Sequence, residues 1–227
     1  MRVSPPTDIP APSADVLAGL IAGAGLSVPP GAVETLIAHA GEMLRWNRSI
    51  RLTAITDPDE VAVKHILDSL LLLRFSSFPG RILDFGSGAG YPGIPLAVVL
   101  PGTRVVLLES SAKKCAFLSH LRRMLSLANT EVVQGRLEAR NPLDIGKFEH
   151  IVTRATLPEE DAASLLLPYL SPGGRLLVMT GTGRGKKKGK HLRGTRSLPP
   201  GAATGRTVRF ELPLRMGLRE IREILAP

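Results

Sequence analysis

A glycine-rich turn follows a short apolar run in the middle of the chain. Residues 83–90 read Leu-Asp-Phe-Gly-Ser-Gly-Ala-Gly, and in an open α/β sheet such a turn joins a strand end to a helix start. Glycine is needed there because the backbone turns sharply and a ligand must approach it closely. Glu109 ends the next predicted strand about twenty residues later, where a carboxylate can accept hydrogen bonds from both hydroxyl groups of a ribose. Loop and acid together predict a site for an adenosine-containing cofactor.

Two cofactors fit this outline. Residues 88–93 match the G-x-G-x-x-G pattern of dinucleotide-binding proteins, in which a pyrophosphate lies on a helix N-terminus. Asp84 favours S-adenosylmethionine, because a carboxylate beside the loop repels a pyrophosphate and attracts the cationic amine of a methionine moiety. Pro92 and Pro95 also remove amide donors that a diphosphate would use. The residues therefore favour S-adenosylmethionine, with NAD as the alternative.

The elements that must position this loop alternate between strands and helices. Apolar runs predict strands at 81–85, 104–109, 131–134, 150–154 and 174–180, with helical stretches such as 112–127 and 160–169 between them. This order predicts a parallel sheet covered by helices on both faces. Residues 207–212 are expected to return as an edge strand. Residues 218–225 fit either a final helix or a closing strand.

Helices precede the sheet. Apolar spacing predicts helices over 13–24 and 31–46, and a third that begins with Asp57 as N-cap and Pro58 and continues through residue 71. Residues 1–12 hold four prolines and are expected to form a disordered lead-in. We expect a helical cap over 13–75 and a second domain over 78–227.

Positive charge is concentrated in one segment. The formal net charge is +9, from 29 lysine and arginine residues against 20 acidic residues. Nine of these cations and no acidic residue lie within 181–209, so the 20 cations elsewhere equal the 20 acidic residues. A basic segment on an otherwise neutral chain indicates an anionic partner.

Composition excludes several classes of protein. With 44% hydrophobic and 22% charged residues, the chain is typical of globular proteins and not of collagen-like or disordered ones. The single cysteine, Cys115, excludes an intrachain disulfide, and the five histidines show no metal-ligand spacing, so we expect no metal. The longest apolar stretch, 66–75, is interrupted by polar residues and is too short to cross a bilayer. No secretory signal is apparent, which favours the cytoplasm.

Residues on both sides of the glycine loop carry a family resemblance. They are Leu-Arg-Trp-Asn at 44–47, Leu-Thr-Ala-Ile at 52–55, His-Ile-Leu-Asp-Ser at 65–69 and Asp-Phe-Gly-Ser-Gly-Ala-Gly-Tyr-Pro-Gly-Ile-Pro-Leu at 84–96. The chain thereby closely resembles the bacterial small-subunit (16S) ribosomal RNA guanine-N7 methyltransferases, the RsmG or GidB family, over roughly residues 35–182. This resemblance implies an α/β fold of class I, a Rossmann-like, seven-stranded S-adenosylmethionine-dependent methyltransferase sheet with a helical N-terminal cap.

The resemblance also implies site residues. Carried over by position, the cofactor contacts fall on Gly86, Tyr91, Leu137, Glu138 and Arg154, to which the loop argument adds Gly88, Gly90 and Glu109. Leu137 and Glu138 would flank the adenine, and Arg154 would face the cleft where methyl donor and target base meet. The face that carries His65 and Asp68 is expected to pack near the cofactor, with a structural hydrogen bond as the role of the pair.

Guanine N7 is an acceptor that needs no general base. Its free lone pair attacks a sulfonium methyl group in line with sulfur, and no proton has to leave. We therefore expect no acid or base among the residues, and positioning by Arg154 and Arg136. Cys115 is expected in the core and not as a covalent nucleophile.

The implied partner is small-subunit ribosomal RNA or the 30S particle, bound by a monomer. The candidate RNA-binding residues are Lys113, Lys114, Arg136, Lys186, Lys187 and Lys188. Two other functions stay open from the residues alone: an NAD-linked oxidoreductase, and a non-catalytic RNA-binding module on a methyltransferase fold.

Overall fold

Three helical segments come first, as predicted. The protein is described by a computed structural model that covers residues 11–138, 140, 142–154, 157–182 and 198–226. Helices α1 (Ala14–Gly23) and α2 (Ala32–Trp46) are followed by one continuous helical stretch. It consists of α3 (Pro58–Val61), a π-helical segment Ala62–Leu67, α4 (Asp68–Leu70) and a 3-10 turn Leu71–Arg74. Its N-cap is Asp57, whose carboxylate accepts a hydrogen bond from Glu60 N at 2.9 Å, because the first amides of a helix lack partners within it.

Seven strands form one mixed sheet in the order β3-β2-β1-β4-β5-β7-β6. They are β1 (Arg81–Phe85), β2 (Arg104–Glu109), β3 (Thr130–Gln134), β4 (Phe148–Arg154), β5 (Leu170–Thr182), β6 (Ala203–Glu211) and β7 (Leu218–Leu225). Strands β1 to β5 are parallel, and β7 runs antiparallel to its neighbours β5 and β6. The predicted seven-stranded sheet is confirmed, and β6 is the expected edge strand.

Strand β7 settles the segment whose spacing fitted both a helix and a strand. Its two glutamates are buried and pair with arginines of neighbouring strands: Glu220 with Arg209 at 2.6 Å, and Glu223 with Arg175 at 2.8 Å. Buried charges are tolerated when they are paired. These cross-strand pairs explain why the sequence of β7 lacks the alternation of polar and apolar residues that marks a half-exposed strand.

Helices cover both faces of the sheet. The other helices are α5 (Gly93–Val99), α6 (Ala112–Met124) and α7 (Glu159–Leu166), the last continued by a 3-10 turn Leu167–Tyr169. One apolar cluster joins Leu36 and Ile66 of the N-terminal helices to Ile82 and Leu107 of the sheet. A second cluster lies on the other face, where Leu166 of α7 packs with the strands. Because cap and sheet share one core, the boundary between 13–75 and 78–227 remains a prediction.

Some predictions fall on residues outside the described ranges. These are most of the lead-in, residues 1–10, and most of the basic segment, residues 183–197, including Lys186, Lys187 and Lys188. Within the ranges that are described, the helices are too short or too polar to cross a membrane.

Candidate functional site

The glycine loop lies between β1 and α5, at the edge where the parallel strands end. Gly86, Gly88 and Gly90 have φ angles of 76°, 55° and 88°, a region that L side chains disfavour. The loop is fixed to β2, because Gly86 N and Ser87 N both donate to Leu108 O, at 2.9 and 3.1 Å. A Cβ added at Gly88 would meet only Gly86 O, at 3.7 Å. The loop therefore keeps a face open on which a ligand can lie close to the backbone.

Glu109, at the end of β2, braces this loop. Its Oε2 accepts from Gly88 N at 3.0 Å, and its Oε1 accepts from Ser111 N at 2.8 Å. The side chain is buried. Ser110 Oγ also donates to Oε1 at 3.3 Å. A carboxylate has about four acceptor positions, so Glu109 keeps about one for a ribose hydroxyl while it holds the loop.

Asp84, the last residue but one of β1, is buried with one oxygen satisfied. Its Oδ2 accepts from Gly93 N at 3.0 Å, whereas Oδ1 has no hydrogen-bond partner in the described part of the chain. Burial raises the pKa of Asp84 to about 7, and the amide of Gly93 opposes this shift. A buried oxygen without a partner marks a place for a donor, and a cationic amine would both satisfy it and favour its ionised form.

Tyr91 lies directly after the loop, between two histidines. Its ring stacks on His39 of α2 at a centroid distance of 4.3 Å and on His65 of the π-helical segment at 4.7 Å. His39 Nε2 donates to Ala89 O at 2.9 Å, since a carbonyl oxygen can only accept. Burial lowers the pKa of His39 to about 4 and that of His65 to about 3. Both rings are therefore neutral near pH 7.

His39 was not predicted as part of the site. The available signal was its position three residues after Leu36 and four before Met43, which places a polar ring on the buried face of α2. Such a residue is typical of a satisfied core histidine, and only the fold shows that the face it occupies covers the glycine loop.

Arg154, at the end of β4, is held by the π-helical segment and α4. Its Nη1 lies 2.9 Å from Lys64 O, 3.2 Å from His65 Nδ1 and 3.4 Å from Asp68 Oδ2. The guanidinium carbon is 5.6 Å from the centroid of Tyr91, within the range of a cation–π contact. The face that carries His65 and Asp68 thus packs beside Tyr91 and makes hydrogen bonds, and its nearness to the cofactor stays a prediction.

Asp68 also binds an arginine that sequence reasoning missed. Arg219 of β7 donates from Nε to Asp68 Oδ1 at 2.5 Å, across a separation of 151 residues. Strand β7 is antiparallel, so its first residues lie at the same edge as the last residues of β4 and β5. No local pattern in the sequence predicts such a contact.

A further loop explains the motif at 44–55. Asn47 Oδ1 accepts from Leu52 N at 2.8 Å and Thr53 N at 3.0 Å, and its Nδ2 donates to Thr53 O at 3.0 Å. This loop places Thr53 Oγ1 2.9 Å from His65 Nε2. Because Arg154 can only donate to Nδ1, the proton of His65 belongs on Nε2, which donates to Thr53.

The remaining predicted residues have different surroundings. Gly135 N donates to Glu109 O at 3.0 Å, which places the start of the segment after β3 beside the loop. In that segment Leu137 is buried in the second apolar cluster, while Arg136 and Glu138 are exposed. Lys113 is exposed and Lys114 is half-buried at the start of α6. The structure thus brings the loop, Glu109, Tyr91 and Arg154 to one sheet edge, and the adenine role of Leu137 and Glu138 stays a prediction.

Cys115 lies in the core, as expected. Its Sγ donates to Glu109 O at 3.2 Å, and burial raises the pKa of the thiol. Among the residues that the structure describes, no group of three or more histidine, cysteine or acidic side chains is arranged to hold a metal ion.

Comparison with known sequences identifies one family. A family model described as rRNA small subunit methyltransferase G matches residues 32–194. A curated relative of the same name from Geotalea uraniireducens is 35% identical over 198 residues, which are 86% of this chain and 90% of the relative. Another, from Anaeromyxobacter sp., is 39% identical over 208 residues, which are 88% of this chain and 92% of the relative.

Comparison with solved structures agrees on the fold. A SAM-dependent methyltransferase from Aquifex aeolicus has a TM-score of 0.56 and 17% identity, over 75% of this chain and 94% of that chain. TrmN from Thermus thermophilus has a TM-score of 0.51 and 18% identity, over 70% and 48%. At these identities the likeness concerns the fold alone, which is the class I methyltransferase sheet.

Proposed function

The chain belongs to the rRNA small subunit methyltransferase G family, and on that premise we propose that it transfers a methyl group from S-adenosylmethionine to N7 of a guanine in a loop of 16S ribosomal RNA. The observation that carries the proposal is the sheet edge where an open glycine loop lies beside Asp84, whose Oδ1 has no hydrogen-bond partner among the described residues. Arg154 belongs to the same edge, because it ends β4, the parallel neighbour of β1.

The residues at this edge fit S-adenosylmethionine. The cofactor supplies, when bound, a methyl group on a positively charged sulfur. The backbone of 86–90 would hold it, Glu109 would accept from the ribose, and Asp84 would accept from the methionine amine. Leu137 and Glu138 would flank the adenine. Family membership argues against the NAD-linked oxidoreductase that the glycine pattern alone allowed.

The electrostatics of the site suit a cationic cofactor. His39 and His65 lie against Tyr91 and stay neutral near pH 7, because burial lowers the pKa of each. They therefore add no positive charge beside the loop, which the carboxyl groups of Asp84 and Glu109 contact through Gly93 N and Gly88 N. Neutral rings allow dense packing around the loop without repelling a cation.

The chemistry of guanine N7 assigns these residues to orientation. N7 offers a lone pair and loses no proton, so no side chain has to act as a base. Holding nucleophile and methyl carbon in line can supply roughly 7–11 kcal/mol in favourable intramolecular cases. Arg154, fixed by contacts from Lys64, His65 and Asp68, and the exposed Arg136 are the residues that we assign to positioning.

We propose the 30S particle or its RNA as the partner of a monomeric enzyme in the cytoplasm. N7 lies in the deep groove of an A-form helix, so the target guanine must be in a loop or be turned out of its stack. Lys113, Lys114 and Arg136 follow strands β2 and β3 at the edge of the glycine loop and can contact phosphates. The same role for Lys186, Lys187 and Lys188 is a prediction from the sequence.

The test combines binding with product analysis. Titration with S-adenosylhomocysteine should give a dissociation constant in the micromolar range, which corresponds to a binding free energy of about −8 kcal/mol. Incubation of 30S particles from a strain lacking the gene with S-adenosylmethionine should yield N7-methylguanine in 16S RNA, as detected by mass spectrometry. Binding of NADH instead would support the oxidoreductase, and binding of RNA without methylation would support the non-catalytic module.

A further inference from the structure

Asp68 is a fully buried carboxylate that joins two arginines from distant strands. Its relative exposure is 0%, and Arg154 and Arg219 bind one oxygen each. The Nε of Arg219 is 2.5 Å from Oδ1, and Nη1 of Arg154 is 3.4 Å from Oδ2. Removing one partner of a buried ion pair lowers the stability of the protein, because it leaves a charge without compensation. The two arginines are therefore coupled through one carboxylate.

Arg154 is held through only one of its nitrogens. The three contacts from Lys64 O, His65 Nδ1 and Asp68 Oδ2 all end on Nη1. Within the described residues, Nε and Nη2 donate to no acceptor, and 18% of the side chain is exposed. Nε and Nη2 form the planar edge that binds carboxylates or phosphates through two parallel hydrogen bonds. Because the three contacts occupy Nη1, this edge is the part of the guanidinium that remains for a ligand.

The availability of this edge depends on Arg219. Arg219 of β7 donates to Oδ1 of Asp68, the oxygen that Arg154 does not contact. Without Arg219, Arg154 is the remaining cation in contact with a buried carboxylate, and the favoured response is a bidentate pair that uses the free edge. The side chain of Arg219 is 12% exposed, its neighbours across the sheet are Gly181 and Phe210, and Asp68 is the carboxylate that it binds.

We propose that Asp68 and Arg219 are positioning residues for methyl transfer, which act by keeping the Nε–Nη2 edge of Arg154 free for an anionic group of the substrate or cofactor. This inference rests on the proposed function. It assigns to the start of β7 a role that neither the glycine loop nor the family motifs indicate.

The test compares three variants by kcat/KM for methylation of 30S particles. Arg219→Gln removes the cation and should lower kcat/KM by tenfold or more, because small displacements of an orienting group cost up to about 100-fold. Arg219→Lys restores a cation for Asp68 and should recover at least threefold of that loss. Arg222→Gln is the matched control, because Arg222 lies on the same strand and also binds carboxylates, Glu220 and Glu159. It should stay within twofold of the wild type.

A double-variant cycle separates positioning from mere structural support. If Arg219 acts through Arg154, Arg219→Gln should change kcat/KM by less than threefold when Arg154 is already glutamine. A loss of threefold or more in that background overturns the proposal, as does a loss below tenfold in the wild-type background. If Arg219→Gln does not fold, as judged by thermal unfolding, the same cycle is run with Arg219→Met, which also removes the cation and should give the same two results. Failure of the wild type to methylate would instead overturn the proposed function.

Discussion

At the scale of single residues, the neutral histidines beside Tyr91 link the site to acid stability. His39 makes one hydrogen bond, to Ala89 O, and its Nδ1 has no partner in the described chain. Protonation would place a charge in a fully buried position without an acceptor for the new proton. The folded state therefore resists taking up a proton that the unfolded chain accepts readily.

We predict that His39→Gln reduces the acid sensitivity of folding. Unfolded histidine takes up a proton near pH 6.5, and folded His39 only near pH 4, so its contribution is complete above pH 6.5 and is lost as the pH falls toward 4. The wild type should therefore lose about 2 kcal/mol more than the variant in unfolding free energy between pH 7 and 4.5. Urea denaturation at both pH values measures this, and equal losses would contradict it.

The glycine pattern and the family resemblance predict site residues that lie close to strand ends. Glu109 and Arg154 end β2 and β4, Gly86 directly follows β1, and Tyr91 follows the loop, so the strand order brings all four to one edge. Arg219 was not predictable, because it meets Asp68 only through the antiparallel return of β7. Long-range ion pairs of this kind leave no periodic signal in the sequence.

At the scale of elements, two glycines of the loop and α5 have different tasks. A Cβ at Gly93 would lie 2.3 Å from Leu107 Cδ2 and 2.5 Å from Asp84 Oδ2, inside the packed contact of α5 with the sheet. Gly88 has open space instead, at a φ of 55°. Gly93 is therefore needed for close packing of α5 on the sheet, and Gly88 leaves space for a ligand.

We predict that alanine at Gly93 mainly lowers stability, whereas alanine at Gly88 also weakens cofactor binding. Gly93→Ala should lower the unfolding free energy by about 1–3 kcal/mol through overpacking. Gly88→Ala should cost about 1–2 kcal/mol from its backbone conformation but weaken S-adenosylhomocysteine binding at least tenfold, because the new methyl group occupies the open face. Thermal unfolding and calorimetric titration test both. Undiminished affinity in Gly88→Ala would show that the ligand lies elsewhere.

Apolar runs in the sequence predict the parallel strands of the sheet, but they do not identify β7 as a strand. Its buried Glu220 and Glu223 disrupt the expected alternation, and they are satisfied only by Arg209 and Arg175 of strands that lie beside β7 in space. Sequence patterns report burial of apolar groups well, but they cannot show that a charged residue is buried with a partner.

At the scale of the whole molecule, the charge distribution predicts how RNA binding depends on salt. Lys113 and Lys114 begin α6 at the edge that carries the glycine loop. Arg104 begins β2 at the opposite edge, where it pairs with Glu131 at 2.6 Å. Phosphate contacts are therefore expected on one edge only.

We predict that alanine at both Lys113 and Lys114 reduces the slope of log affinity for 16S RNA against log salt by about 0.7–0.9 per lysine. Affinity for S-adenosylhomocysteine should be unchanged. Arg104→Ala serves as the control and should leave the slope as it is. Filter binding across a salt series measures all three proteins, and an equal reduction by Arg104→Ala would contradict the assignment of the RNA to the glycine-loop edge.

The position of β7 between β5 and β6 has a consequence for biosynthesis. Strand β6 is made first, yet its backbone joins the sheet only through β7. A nascent chain that ends within β6 therefore holds the five parallel strands but not β7, the strand with which β6 pairs. It also contains Asp68 and Arg154 before Arg219 exists, so the edge of Arg154 gains its final arrangement only when translation has passed β7.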